Sequence, residues 1–172
     1  MKRQGFTIIE MAIVILVLGI MASVMTFSPE IAKQSAQREA ERVAFFLNNK
    51  MRRADLRRTD FIIEFPRVSE ELQDFDTVRY FYIAWRCPNS STGDNIIQFQ
   101  NNKYKREEQP FSVTGSCTLK TPVKELHYSR FNYTNIDDDG ITLKVTGSQA
   151  DTYNVQINKQ GMISSEPPKP NT

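Results

Sequence analysis

The chain predicts an α+β fold in which a long N-terminal α-helix packs on a β-rich globular head. Three observations carry this. An apolar run opens the sequence, a rhythm of apolar residues at three- and four-residue steps follows it, and from Asp60 onward short aromatic and β-branched runs alternate with turn residues. With 172 residues, 40% of them hydrophobic and 24% charged, there is material for one membrane element and one modest head. The net charge of +2, the difference between 22 basic and 20 acidic residues, is too small a bias to argue for nucleic acid or an acidic surface.

Residues 1–5 read Met-Lys-Arg-Gln-Gly, and from Met11 to Phe27 there is no charged residue. The segment 6–28 therefore wants lipid or a core, and it is long enough to cross a hydrocarbon layer of about 30 Å at about 1.5 Å per residue. Lys2 and Arg3 precede it, so the positive-inside rule places the N-terminus in the cytoplasm and everything after Pro29 across the membrane. Glu10 is the exception inside this segment, because an ionised carboxylate in an apolar setting needs a partner. No basic residue follows within a helical turn. A cut between Gly5 and Phe6 would create an ammonium group at Phe6, one turn from Glu10 or facing Glu10 of a neighbouring subunit.

Gly5-Phe6-Thr7-Ile8-Ile9-Glu10, preceded by basic residues and followed by a long apolar run, resembles the type IV prepilin cleavage and methylation motif. The resemblance implies that residues 1–5 are a leader removed by prepilin peptidase after Gly5, that the amine of Phe6 is methylated, and that Glu10 guides subunit docking. Two other readings compete. A secretory signal peptide would have a shorter apolar region ending in small residues, of which Ala22-Ser23 is a poor version. An uncleaved signal anchor explains the length of the run and leaves the acid unexplained.

Beyond Pro29 the apolar rhythm continues through Ala36, Ala40, Val43, Leu47, Met51 and Ala54, with Phe46 beside them, while Lys33, Gln37, Arg38, Glu41, Asn48, Asn49, Arg52 and Arg53 form the polar side. Residues 29–58 thus read as an amphipathic helix continuing into the head, with Pro29 kinking the path without ending it. The whole helix would be about 75 Å long. In the family that the N-terminus resembles, the distorting proline often lies slightly earlier. Lys50, Arg52, Arg53, Arg57 and Arg58 make a basic cluster that fits either DNA contact or ordinary charges near a helix C-terminus, and the helix dipole favours the second.

Residues 59–163 read as the β-rich head, with strands expected over 61–65, 78–85, 96–99, 126–133, 141–145 and 153–157. Turns are signalled by Pro88-Asn89-Ser90-Ser91, Asp139-Gly140 and Gln160-Gly161. The segment 164–172 holds Pro167, Pro168 and Pro170 and is expected to be a flexible tail. An amphipathic helix leading directly into a strand over Glu41 to Phe65, with a closing strand pair around Gln160-Gly161, resembles the GspH/FimT class of minor pseudopilins. FimT-type DNA receptors carry a basic C-terminal stretch, whereas here Lys169 is the one basic residue after Met162, which argues against DNA uptake.

Catalytic chemistry finds little support. His127 is the single histidine, it lies in an expected strand, and no Gly-x-Ser-x-Gly elbow, phosphate loop, zinc motif or paired-carboxylate arrangement accompanies it. Trp85 and the tyrosines at 80, 82, 128 and 133 fit strand packing. Asp137-Asp138-Asp139-Gly140 offers oxygen atoms of the kind calcium takes, and major pseudopilins are known for a calcium site in the head. The stretch lacks the alternating acids of an EF-hand and reads as a hairpin turn, so no metal or cofactor is expected. Cys87 and Cys117 would lie in an oxidising compartment and are expected to form a disulfide worth about 3 kcal/mol, the alternative being two buried free thiols.

The expectation is a structural subunit and not an enzyme: a minor pseudopilin or prepilin in the inner membrane, head in the periplasm, processed and assembled into a pseudopilus or pilus for protein secretion. A minor type IV pilin serving pilus biogenesis, DNA uptake or surface binding is the alternative. The implied partners are prepilin peptidase, other pilin or pseudopilin subunits, the inner-membrane assembly platform and membrane lipid, with nucleic acid disfavoured.

Overall fold

The computed structural model describes residues 8–66, 76–115, 117–148 and 150–168. Among the described residues one helix, α1 (Ile8–Arg57), precedes twelve strands: β1 (Phe61–Glu64), β2 (Asp76–Val78), β3 (Tyr80–Cys87), β4 (Ile96–Phe99), β5 (Asn102–Arg106), β6 (Phe111–Ser112), β7 (Thr118–Thr121), β8 (Glu125–Ser129), β9 (Asn132–Tyr133), β10 (Ile141–Thr146), β11 (Thr152–Ile157) and β12 (Ile163–Glu166). The helix is continuous through Pro29. Its amphipathic half buries Ala36, Ala40, Val43, Leu47, Met51 and Ala54, packing on β10, β11 and β12, and leaves Phe46 half-buried. Three small alanines, Ala36, Ala40 and Ala44, let the backbone come close to the head.

The helix ends in a Schellman cap. The Arg58 N–H donates to the Asp55 carbonyl at 3.2 Å and the Thr59 N–H to the Ala54 carbonyl at 3.1 Å, with Arg58 in the left-handed conformation at φ 50°. Two residues later β1 begins, so the chain turns straight from helix into the centre of the larger sheet, whose order is β4-β5-β3-β1-β8-β9. β3 is long enough to serve two partners on one edge: β5 pairs with its Ala84–Cys87 end and β6 with Tyr80 and Phe81. Phe61 and Ile63 of β1 enter the main core, while Ile62 on the other face packs with Ala84 and Tyr104 in a smaller cluster. The second sheet, β12-β11-β10-β7-β2, faces the helix through Leu143, Val145, Val155 and Ile157. Both sheets are antiparallel throughout.

Three expectations for the head are corrected. The run expected over 126–133 is two strands, β8 and β9, joined by a two-residue turn at Arg130-Phe131 with φ values of 50° and 72°. Neither residue is the Asn or Gly that such a turn favours, so nothing in the sequence marks it. The run expected over 78–85 is likewise divided, β2 belonging to one sheet and β3 to the other. The tail expected from residue 164 is still in the sheet at Ser164, Ser165 and Glu166, because the edge of β11 offers Asn154, Val155 and Gln156 as partners.

Candidate functional site

From Met11 to Met21 every described side chain of α1 is exposed. Ile8 is 91% exposed and Ile9 72%, and the large apolar residues that follow stay near half exposed or more. A helix that is apolar all round and bare all round is stable only when lipid or other helices cover it. Among the described side chains, contact with the head starts at Ser35, which meets Cys117, and full burial at Ala36. Among the described residues no helix is long and apolar enough to cross a membrane. The expected span over 6–28 reaches beyond what is described, since residues 6 and 7 and the side chains of 22–28 lie outside it. The cleavage pair Gly5 and Phe6 also lies outside the described residues, and Glu10 belongs to α1 with its side chain outside the description.

This geometry joins an uncovered apolar rod to a packed head through one continuous helix. A family model described as the prokaryotic N-terminal methylation motif matches residues 1–26. The match supports a type IV prepilin-like protein. The matched stretch includes Gly5, Phe6, Glu10 and all but the last residue of the uncharged run from Met11 to Phe27. For a prepilin-like chain the motif implies processing by prepilin peptidase and assembly with other pilin subunits, and it suggests a membrane-anchored pilin. Comparison with curated proteins and with solved structures gave no match.

The head places the remaining candidates as follows. Cys87 and Cys117 are both free thiols, which corrects the expected disulfide. Cys87 ends β3 opposite Lys103 in the larger sheet, whereas Cys117 is buried ahead of β7 beneath the helix, where its thiol meets Ser35. Burial raises the Cys117 pKa, with the Ser35 hydrogen bond working against that. Gly147 makes the close approach on this side possible, since a Cβ there would lie 2.9 Å from Ser35 Oγ.

Asp137-Asp138-Asp139-Gly140 is a turn closed by the Gly140 N–H on the Asp137 carbonyl at 3.0 Å. Asp138 pairs with Lys159 at 2.9 Å, which lowers the carboxyl pKa. Among the described residues no cluster of acids, histidines or cysteines could hold a metal ion. His127 is buried with its ring edge-on to Phe99 at 3.8 Å, and its Nε2 lies 3.3 Å from Glu125 Oε1. Burial lowers its pKa, while Glu125 pulls the other way.

The basic cluster at the end of α1 divides in two. Lys50 is tied to Glu107 at 2.6 Å, the same carboxylate that accepts from Trp85 Nε1 at 2.8 Å, and Arg53 lies over the Trp85 ring at 5.2 Å. These are structural positions. Arg52 and Arg58 instead line two neighbouring hollows at the helix end. Sequence reasoning missed Glu39, a buried acid on the helix face otherwise filled by alanine and valine. It accepts from Arg42 at 2.6 and 3.0 Å and from the Thr114 N–H at 3.1 Å, and Arg42 also reaches the Ser112 carbonyl and covers the Phe111 ring. The Arg42 spacing, one helical turn on, was the available signal.

Proposed function

We propose that the chain is a minor pseudopilin or prepilin subunit, processed after Gly5 and assembled by its helix into a pseudopilus or pilus for protein secretion. The observation that carries the reading is the uncovered apolar rod of α1, continuous with a separately packed head and covered through residue 26 by the match to the methylation motif. Neighbouring helices in a filament would cover that rod, as lipid would before assembly. On this reading the protein sits in the inner membrane with its head in the periplasm, and the new ammonium group at Phe6 neutralises Glu10 of the same or an adjacent subunit. Its work is mechanical and not catalytic. A β-rich head following one long helix favours the GspH/FimT class within this group. A minor type IV pilin acting through its head is the second reading, favoured by the open arginines at the helix end.

The test is mass spectrometry of the mature protein from the membrane and filament fractions. The expected product begins with N-methylated Phe6, and Gly5→Leu leaves the leader attached. An intact Met1 start in the filament fraction would defeat the proposal. Genes for a secretion ATPase and secretin beside this one would support the pseudopilin reading, and competence or pilus genes the minor pilin.

A further inference from the structure

The hollow where α1 ends has a volume of about 620 Å³ and is lined by Asp55, Arg58, Asp60, Arg86, Arg130 and Phe131 among others. That is within the usual range of ligand sites, roughly 300–1,000 Å³. A second hollow, about 420 Å³, adjoins it, sharing Asp55 and Phe131 and adding Arg52. The carboxylates are largely occupied. Asp60 accepts from Arg86 and from Ser129, both at 2.8 Å, and Asp55 accepts from the Tyr128 hydroxyl at 2.8 Å. Arg86 also donates to Asn102 at 3.0 Å. Among the described residues Arg52, Arg58 and Arg130 have no such partner, and Phe131 is 62% exposed beside them.

The backbone adds an independent observation. Arg58, Arg130 and Phe131 all hold positive φ, at 50°, 50° and 72°. Glycine is the natural residue for the helix cap, and Asn-Gly for the two-residue turn. The equivalent turn between β4 and β5 uses Gln100-Asn101, and Gly140 and Gly161 serve other turns. Among the described residues Gln100, Asn101 and Ala150 also hold positive φ, each elsewhere, whereas Arg58, Arg130 and Phe131 all line this one hollow. Strain of this kind persists where the side chain has a use.

We propose that this hollow docks a segment of a partner protein in which carboxylates alternate with aromatic or large aliphatic side chains. Open guanidinium forks match carboxylates in two-point geometry, and the Phe131 ring offers an apolar seat between them. The fixed charges of Asp55 and Asp60 on the same walls disfavour a continuous polyanion such as a nucleic acid backbone. The site is independent of cleavage at Gly5, so its failure and that of the assembly reading are separable.

The experiment uses the full chain in lipid nanodiscs, with empty discs as blank, and a fluorescein-labelled octapeptide of alternating Asp and Phe read by anisotropy. The same peptide with Asn for Asp is expected not to bind. Arg58→Asn, and separately Arg130→Asn combined with Phe131→Gly, should each weaken binding about tenfold or more. The turn replacement should at the same time raise the unfolding midpoint by about 2–4 °C, because it installs the favoured Asn-Gly turn. Lys120→Gln, which removes one exposed charge from β7, should leave binding unchanged. Retained binding in the turn variant, an equal loss in Lys120→Gln, or preferential binding of an oligo-dT strand would each overturn the proposal.

Discussion

His127 shows how one buried ring makes the head sensitive to acid. Its folded pKa is held below the ordinary 6.5 chiefly by burial, so the unfolded chain binds a proton more readily than the folded one. The stability this contributes is complete above pH 6.5 and is lost as pH falls through the lowered folded value. Thermal unfolding of the wild type should therefore decline more between neutral pH and pH 5 than that of His127→Gln. Parallel decline in the two proteins would show that the carboxylates alone set the acid limit. The sequence left His127 as a strand histidine either packed or on the surface, and neither its burial nor its ring partner Phe99 was legible there. Phe99 belongs to a strand that reaches His127 through folding and not through sequence spacing.

Glu39 joins two elements, fixing α1 to the loop between β6 and β7 through the Thr114 N–H while holding the Arg42 guanidinium over Phe111. Replacing it with alanine leaves that N–H and a half-exposed arginine without their acceptor. The expected loss is about 1–3 kcal/mol in chemical denaturation, and Glu39→Gln, which keeps an acceptor for Thr114, should recover part of it. An unchanged midpoint in Glu39→Ala would mean that water replaces the carboxylate. At this scale the helix was the most legible part of the chain, because Ala36, Ala40, Val43, Leu47, Met51 and Ala54 repeat at helical spacing and all six are buried, with Phe46 half-buried beside them. β5 was invisible for the opposite reason. Its Asn-Lys-Tyr-Lys-Arg sequence has one buried residue, Tyr104, and it is a strand because the edge of β3 pairs with it. β7 was hidden likewise, since Leu119 and Thr121 are its only buried residues.

For the whole molecule, the free thiols mean that no covalent cross-link holds the head together. Mass measurement before and after reduction should show no change for the folded protein, and Cys87, half exposed, should alkylate before buried Cys117. A gain of two hydrogens on reduction would restore the bridge. The candidate site was legible unequally at this scale. The prepilin-like N-terminus is a local pattern and could be read directly, but the hollow at the helix end is assembled from α1, the link to β1, β3 and the turn after β8, residues far apart in sequence.

The unbroken path of α1 has a further consequence when the protein is pulled. Tension applied at the apolar end travels down a single rod and meets the head along the length of the buried face, from Ala36 to Ala54. Such a load acts in shear, straining the helix contacts and the Glu39 anchor together, where a hinged attachment would let them peel away one after another. A filament built from this chain would hand force from subunit to subunit through helices, and its heads would ride along without being unzipped.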